Sequence, residues 1–216
     1  MKTIHCKLVV LISGQGTNLQ ALIDTSLASN FKIHAVLSNN PTAYGLQRAE
    51  KNNIATFVIN HKEYGSKQAF EKALMIKLDE INPNLIALAG FMRILSPNFV
   101  NHYAGKILNI HPSLLPKYTG INTHKRAIEA NESEHGATVH YVTEELDGGP
   151  VVAQEKVPVL SKDTPETLAN RVAEKEHIIY PKVVSWFAAG RLAMVGNKAY
   201  LDQVLLSTSG AKSQSE

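Results

Sequence analysis

Short apolar runs alternate with stretches of helical periodicity along the first half of the chain. Leu8–Ile12 is a β-branched run closed by Ser13-Gly14, which predicts a buried strand. The pattern Thr17-x-x-Gln20 predicts a capping box opening a helix to about Leu27. A second strand is expected near Ile33–Leu37, then a turn at Asn39-Asn40-Pro41 and a helix over about Gly45–Asn52. A third strand follows at Thr56–Ile59. Lys67–Ile81 has helical spacing and stops before Pro83. Leu85–Leu88 and Ile107–Ile110 read as further strands, with a helical turn at Asn98–His102 between them. Strands alternating with helices imply an α/β fold, a mainly parallel sheet with helices on both faces.

The rhythm then changes. Thr138–Val142 and Val151–Val157 are strands with no helix between them, so they are expected as antiparallel neighbours added in the carboxyl-terminal half. Thr164-Pro165-Glu166 supplies a cap, a first-turn proline and an acid to a long helix ending near Trp186. Leu192–Val195 and Ala199–Leu201 flank Gly196-Asn197 as a hairpin, and the last dozen residues, including Ser207-Thr208-Ser209-Gly210, are expected to fray. The expected organisation is one catalytic domain over 1–190, followed by a hairpin and flexible tail over 191–216.

Composition removes several classes of function. With 44% hydrophobic and 19% charged residues, the 216-residue chain reads as globular. A net charge of +3, dispersed along the sequence, does not suggest nucleic acid but favours small anionic ligands. No run of about 18 apolar residues is present, so no membrane span is expected. The single cysteine, Cys6, excludes an intrachain disulfide framework and fits a cytoplasmic setting. Nine histidines raise the question of a metal, but no H-E-x-x-H occurs and His135 and His140 are poorly spaced for ligation on a strand. No metal is expected.

Two segments carry candidate chemistry. Ser13-Gly14-Gln15-Gly16-Thr17-Asn18 joins the first strand to the first helix, where glycines let backbone N–H groups approach a phosphate. The Walker and dinucleotide fingerprints both fail, the latter because Leu19 stands at the third glycine's place. A monophosphate loop is therefore the better reading than a plain tight turn. In the second segment, Asn109 and His111 lie two apart at a strand end and share a face, and Pro112 opens a loop after them. Asp147, in Asp147-Gly148-Gly149-Pro150, is a candidate carboxylate partner for His111, although an Asx turn would also explain it. Such a trio suits attack on a carbonyl. Asn109 would donate to an oxyanion, His111 would donate and transfer a proton, and Asp147 would favour the imidazolium and raise its pKa. No G-x-S-x-G elbow is present and Cys6 is at the wrong end, so an external amine is the expected nucleophile. Whether His111 or a water held by Asp147 takes the amine's proton stays open.

Gly14-Gln15-Gly16-Thr17-Asn18, Gly90-Phe91-Met92-Arg93-Ile94-Leu95, Asn109-Ile110-His111-Pro112-Ser113-Leu114-Leu115-Pro116 and Gly136-x-Thr138-Val139-x-Tyr141-Val142-x-Glu144-x-Leu146-Asp147-x-Gly149 together resemble the phosphoribosylglycinamide formyltransferases, folate-dependent enzymes of purine synthesis. The resemblance runs from about Lys7 to Trp186. It implies a Rossmann-like formyltransferase fold, with 10-formyltetrahydrofolate as co-substrate and 5-phosphoribosylglycinamide as acceptor. It makes Asn109, His111 and Asp147 catalytic. Gly14, Gln15, Gly16, Thr17, Asn18 and Glu176 would hold the acceptor. Lys67, Met92, Arg93, Ile94, Leu95, Asn109, Thr143, Glu144, Glu145, Leu146 and Asp147 would hold the folate. Lys67 stands where relatives often carry arginine and loses its fork. Thr119 replaces a common proline, which would loosen its loop. Methionyl-tRNA formyltransferase adds a carboxyl-terminal domain and formyltetrahydrofolate deformylase usually an amino-terminal one, so length favours the small-molecule acceptor. A non-catalytic nucleotide-binding domain would not need the trio, and the failed fingerprint weakens a nicotinamide dehydrogenase. The implied partners are small molecules, with neither nucleic acid nor membrane, in a monomer or homodimer.

Overall fold

The computed structural model describes residues 6–211. Its strands are β1 (Cys6–Ile12), β2 (Phe31–Ser38), β3 (Ala55–Val58), β4 (Leu85–Leu88), β5 (Ile107–His111), β6 (Glu134–Tyr141), β7 (Val151–Pro158), β8 (Leu192–Val195), β9 (Lys198–Leu201) and β10 (Val204–Leu205). Its α-helices are α1 (Thr17–Ser26), α2 (Tyr44–Lys51), α3 (Lys67–Ile81), α4 (Pro97–His102), α5 (Thr123–Glu129) and α6 (Pro165–Ala188). The main sheet has the order β3-β2-β1-β4-β5-β6-β7 and β8 to β10 form a small second sheet. The chain divides into two compact units after Leu108.

In the first unit β1 is flanked by β2 and β4, all parallel, and β3 pairs with β2. Burial on both faces explains the continuous apolar run: Leu8 to Ile12 are fully buried, as are Leu85 to Ala87. Ser66 caps α3 by accepting from Ala69 N–H, and Asn82 ends it in the left-handed region.

One expected start is corrected. The capping box Thr17-x-x-Gln20 does not form: Gly16 is the N-cap, with φ 71° and no side-chain cap bond. Thr17 is already helical, and Gln20 instead donates to Asp24 and accepts from Arg48.

In the second unit β6 and β7 are antiparallel, and α6 packs on both. Thr164 and Thr167 form a reciprocal capping box before Pro165. β6 begins at Glu134, earlier than its apolar stretch suggests, because His135 and Gly136 are buried within it. Helix α5 and strand β10 were not expected from the sequence. Within the segment expected to fray, Ala211 forms an isolated bridge with Ala153 of β7. Val152 is the extra residue of a bulge opposite Val139-His140, and its carbonyl accepts from Ala211 N–H at 2.7 Å. The rest of that stretch, 212–216, lies outside the described residues. Among the described residues no helix is long and apolar enough to cross a membrane.

Candidate active site

The glycine loop of the first unit sits at the carboxyl end of β1. Gly16 must be glycine: besides its positive φ, a Cβ there would lie 2.7 Å from Gly45 Cα. Gly14 faces open space. Ser13 ties this loop to the segment after β4. Its N–H donates to Gly90 O at 3.1 Å, and its hydroxyl accepts from Met92 N–H at 2.8 Å and donates to Asn39 Oδ1 at 2.6 Å. Residues 13–18 and 90–92 are thus brought together beyond β1 and β4, where parallel sheets collect ligands. Met92 and Ile94 are 73% and 64% exposed, whereas Leu95 is buried. That exposure leaves the apolar stretch 91–94 only partly absorbed as a core corner. Lys67, at the start of α3, pairs with Glu71 at 3.8 Å, and Glu71 also accepts from Ser96 N–H.

The catalytic candidates gather in the second unit. β5 ends on Asn109 and His111, and the loop after β6 delivers Asp147. Asp147 Oδ2 is 3.6 Å from His111 Nδ1, an ion-pair distance longer than a hydrogen bond. Both side chains are over nine-tenths buried. The same Oδ2 accepts from Gly120 N–H at 2.8 Å. His111 Nε2 is 2.9 Å from the Tyr118 carbonyl; since a carbonyl only accepts, that nitrogen carries hydrogen. The 118–120 turn therefore grips both partners.

Backbone conformation at this site is unusual. Tyr118, Asn122 and Asp147 have φ of 57°, 58° and 53°, each costing on the order of 1 kcal/mol for a non-glycine residue. Gly149 lets the Asp147 loop return to β7, since a Cβ there would fall 1.8 Å from Tyr141 O.

The loop after His111 is held from below. Thr138 Oγ1 donates to Ser113 O and accepts from Leu115 N–H and Gln154 Nε2, which uses the hydroxyl fully. The Leu115–Pro116 bond is cis. Ser113 is buried, with its hydroxyl donating to Lys117 O, so the serine nearest the trio is not a free nucleophile. Thr119 was expected to loosen its loop, yet Arg126 donates to its carbonyl and lies over the Tyr118 ring, and the Tyr118 hydroxyl donates to Glu132.

Sequence reasoning missed His140. It sits at the end of β6 with Nδ1 2.8 Å from Tyr141 O and Nε2 3.1 Å from Asn109 Nδ2. Its Nε2 is also 3.9 Å from Asp147 Oδ1. Burial holds its pKa well below the usual imidazole value. The available signal was its place at a strand end, two residues beyond Thr138. Earlier in β6, His135 is pushed down to about 4 by burial, then by the charge of His124, whose ring centroid is 5.2 Å away.

Of the other expected contacts, Thr143 is half-buried, Glu144 and Glu145 are exposed, and Leu146 is 51% exposed. Glu176 lies in α6 and is buried.

The formyl transferase family profile matches residues 6–184. Phosphoribosylglycinamide formyltransferase of Escherichia coli (strain K12) is 51% identical over 205 residues, covering 94% of this chain and 97% of its own. That of Haemophilus influenzae is 50% identical over 206 residues, with the same coverage. The solved phosphoribosylglycinamide formyltransferase of Coxiella burnetii, in complex with CHES, superposes with a TM-score of 0.93 at 53% identity. It covers 96% of this chain and 99% of its own.

Proposed function

Because this chain belongs to the formyl transferase family and is a transferase, we propose that it moves the formyl group of 10-formyltetrahydrofolate onto the amine of 5-phosphoribosylglycinamide, a step of purine synthesis. The observation that carries the reading is the cluster of half-buried Asn109 with the buried His111 and Asp147 side chains, which has polar donors and a carboxylate but no nucleophile of its own. The substrate amine attacks the formyl carbon, and a C–N bond forms. Asn109 donates its second amide N–H to the resulting oxyanion, and the His111 Nε2–H exchanges the Tyr118 carbonyl for the same oxygen. Asp147 takes the proton lost by the amine. His111 delivers its Nε2 proton to N10 as the bond from N10 to the formyl carbon breaks, and the proton held by Asp147 returns to Nε2 by way of solvent.

For the binding residues, the exposed Gly14-Gln15 turn before α1 supports assigning Gly14, Gln15, Gly16, Thr17 and Asn18 to the acceptor phosphate. Glu176 is assigned to the remainder of the acceptor. The exposure of Met92 and Ile94 in the first unit, and of Leu146 in the second, supports giving these apolar side chains to the folate. Lys67, Arg93, Leu95, Thr143, Glu144 and Glu145 complete that assignment from the resemblance. Purified protein mixed with both substrates is expected to form the formylated amine and tetrahydrofolate in equal amounts. Folded protein without turnover that needs both would end this reading. Asn109→Ala is expected to cut kcat by roughly a hundredfold.

A further inference from the structure

His140 lies outside the trio, yet both of its ring nitrogens are committed. The Tyr141 carbonyl, 2.8 Å from Nδ1, can only accept, so Nδ1 carries the hydrogen. In the neutral ring Nε2 is then a bare acceptor and requires a donor. Asn109 Nδ2 stands 3.1 Å from it. A side-chain amide can sit in two orientations related by a flip, with its donor and acceptor ends exchanged. Only one of them places the amino group on His140. In that orientation one amide N–H is spent on the ring, and the other is left to point at a ligand. A protonated His140 would offer two donors and would favour the flipped amide, turning that N–H away.

The surroundings keep the ring neutral. The side chain is 2% exposed, and His111 opposes a second positive charge. Asp147, 3.9 Å from Nε2, acts in the other direction and is outweighed by burial.

We infer that His140 is a positioning residue that locks the amide of Asn109 in the orientation needed to donate to the oxyanion. This rests on the formyl-transfer reading above, in which Asn109 touches the reacting carbonyl.

Three variants and one direct measurement test it. His140→Asn keeps a donor near Nδ1 for the Tyr141 carbonyl but has no atom to accept from Asn109. It should lower kcat roughly 10-fold or more, with the KM of both substrates within about twofold. His140→Gln can place its amide oxygen near the position of Nε2, and should recover most of the loss. Asn109→Ala combined with His140→Asn should be no slower than Asn109→Ala alone, because His140 acts through the amide. If the two losses multiply, His140 has an independent role and the inference fails. If Asn109→Ala turns over like the parent, it is the oxyanion reading that fails. A slow Asn109→Ala with a fast His140→Asn removes only the present inference.

Should His140→Asn not fold, imidazole nitrogen shifts in the unmodified protein decide. An Nδ1–H tautomer at pH 7 is expected. An Nε2–H tautomer or an imidazolium would overturn the lock.

Discussion

Acid should weaken this protein through His135, and the size of the effect follows from its surroundings. The ring is 1% exposed, and its Nε2 has no hydrogen-bond partner among the described residues. Burial lowers its pKa from 6.5 to about 4, the charge of His124 adds to this, and the Pro112 carbonyl and Glu132 oppose it. The folded value lies below the unfolded one, so between those limits the unfolded chain binds a proton that the folded chain refuses. Stability is therefore complete above pH 6.5, falls as pH drops through that window, and stops falling from this cause below about 4. At 1.36 kcal/mol per unit the loss is on the order of 3 kcal/mol, a large share of a typical domain's stability. His135→Phe fills a similar volume and removes the titration, and Pro112 O keeps the Thr123 hydroxyl as a donor at 2.7 Å. Urea midpoints at several pH values from 8 to 4.5 would be compared for both proteins. The variant should lose about one proton's worth of slope, with His124 and His140 leaving some slope in place. Parallel curves would refute the reasoning, since His135 would then titrate alike in both states.

Other substitutions separate fold from chemistry. Gly149→Ala would put Cβ 1.8 Å from the Tyr141 carbonyl, so a loss of roughly 3 kcal/mol in urea unfolding is expected. Gly14→Ala meets open space and should raise the KM for the phosphorylated substrate without lowering Tm. Gly16→Ala, strained at φ 71° and pressed on Gly45, should cost stability first; equal Tm losses for the two would contradict this. Asp147→Asn keeps an oxygen for Gly120 N–H but loses the charge facing His111. It should cut kcat by about a hundredfold or more with Tm little changed, and binding losses equal to the kcat loss would make Asp147 structural instead.

Local signals accounted for elements whose partners are local. Lys67–Ile81 was read to the residue from its helical spacing and from Pro83, which bars its extension, and Ser66 caps it in the structure. Leu85–Leu88 was equally plain, being apolar throughout and buried on both faces. Where tertiary packing decides, the pattern misled or was silent. Thr17 and Gln20 have capping-box spacing, but the left-handed Gly16, pressed against Gly45, starts α1 one residue earlier than a side-chain cap would. α5 starts after Asn122, a residue type that favours helix N-caps, but Asn122 enters it at φ 58° without a side-chain cap bond. Glu134-His135-Gly136 does not look like strand because its burial comes from neighbours remote in sequence. The proximity of Asn109 and His111 was legible from strand period. Their meeting with Asp147 was legible only as one of two readings, beside an Asx turn, because it depends on a bulged hairpin and on the turn that Gly149 permits.

The position of His140 shows how the site is built from that strand. Gly136, Thr138 and His140 alternate along β6 and so share one face. Each meets one part of the end of β5 or of the segment that follows it. A Cβ on Gly136 would lie 2.9 Å from Leu114 Cδ2, Thr138 holds Ser113 and Leu115, and His140 holds Asn109. The period-two pattern that makes β6 a strand thus also fixes the path of residues 109–115. A one-residue slip of β6 would bring Ala137, Val139 and Tyr141 to these places and withdraw the Thr138 hydroxyl and the His140 acceptor together. The extra residue of the bulge, Val152, falls on β7 rather than β6, so the alternation on β6 is unbroken where Asn109 depends on it. The orientation of the amide and the course of the loop are therefore set by one register, and the proposed lock on Asn109 stands or falls with it.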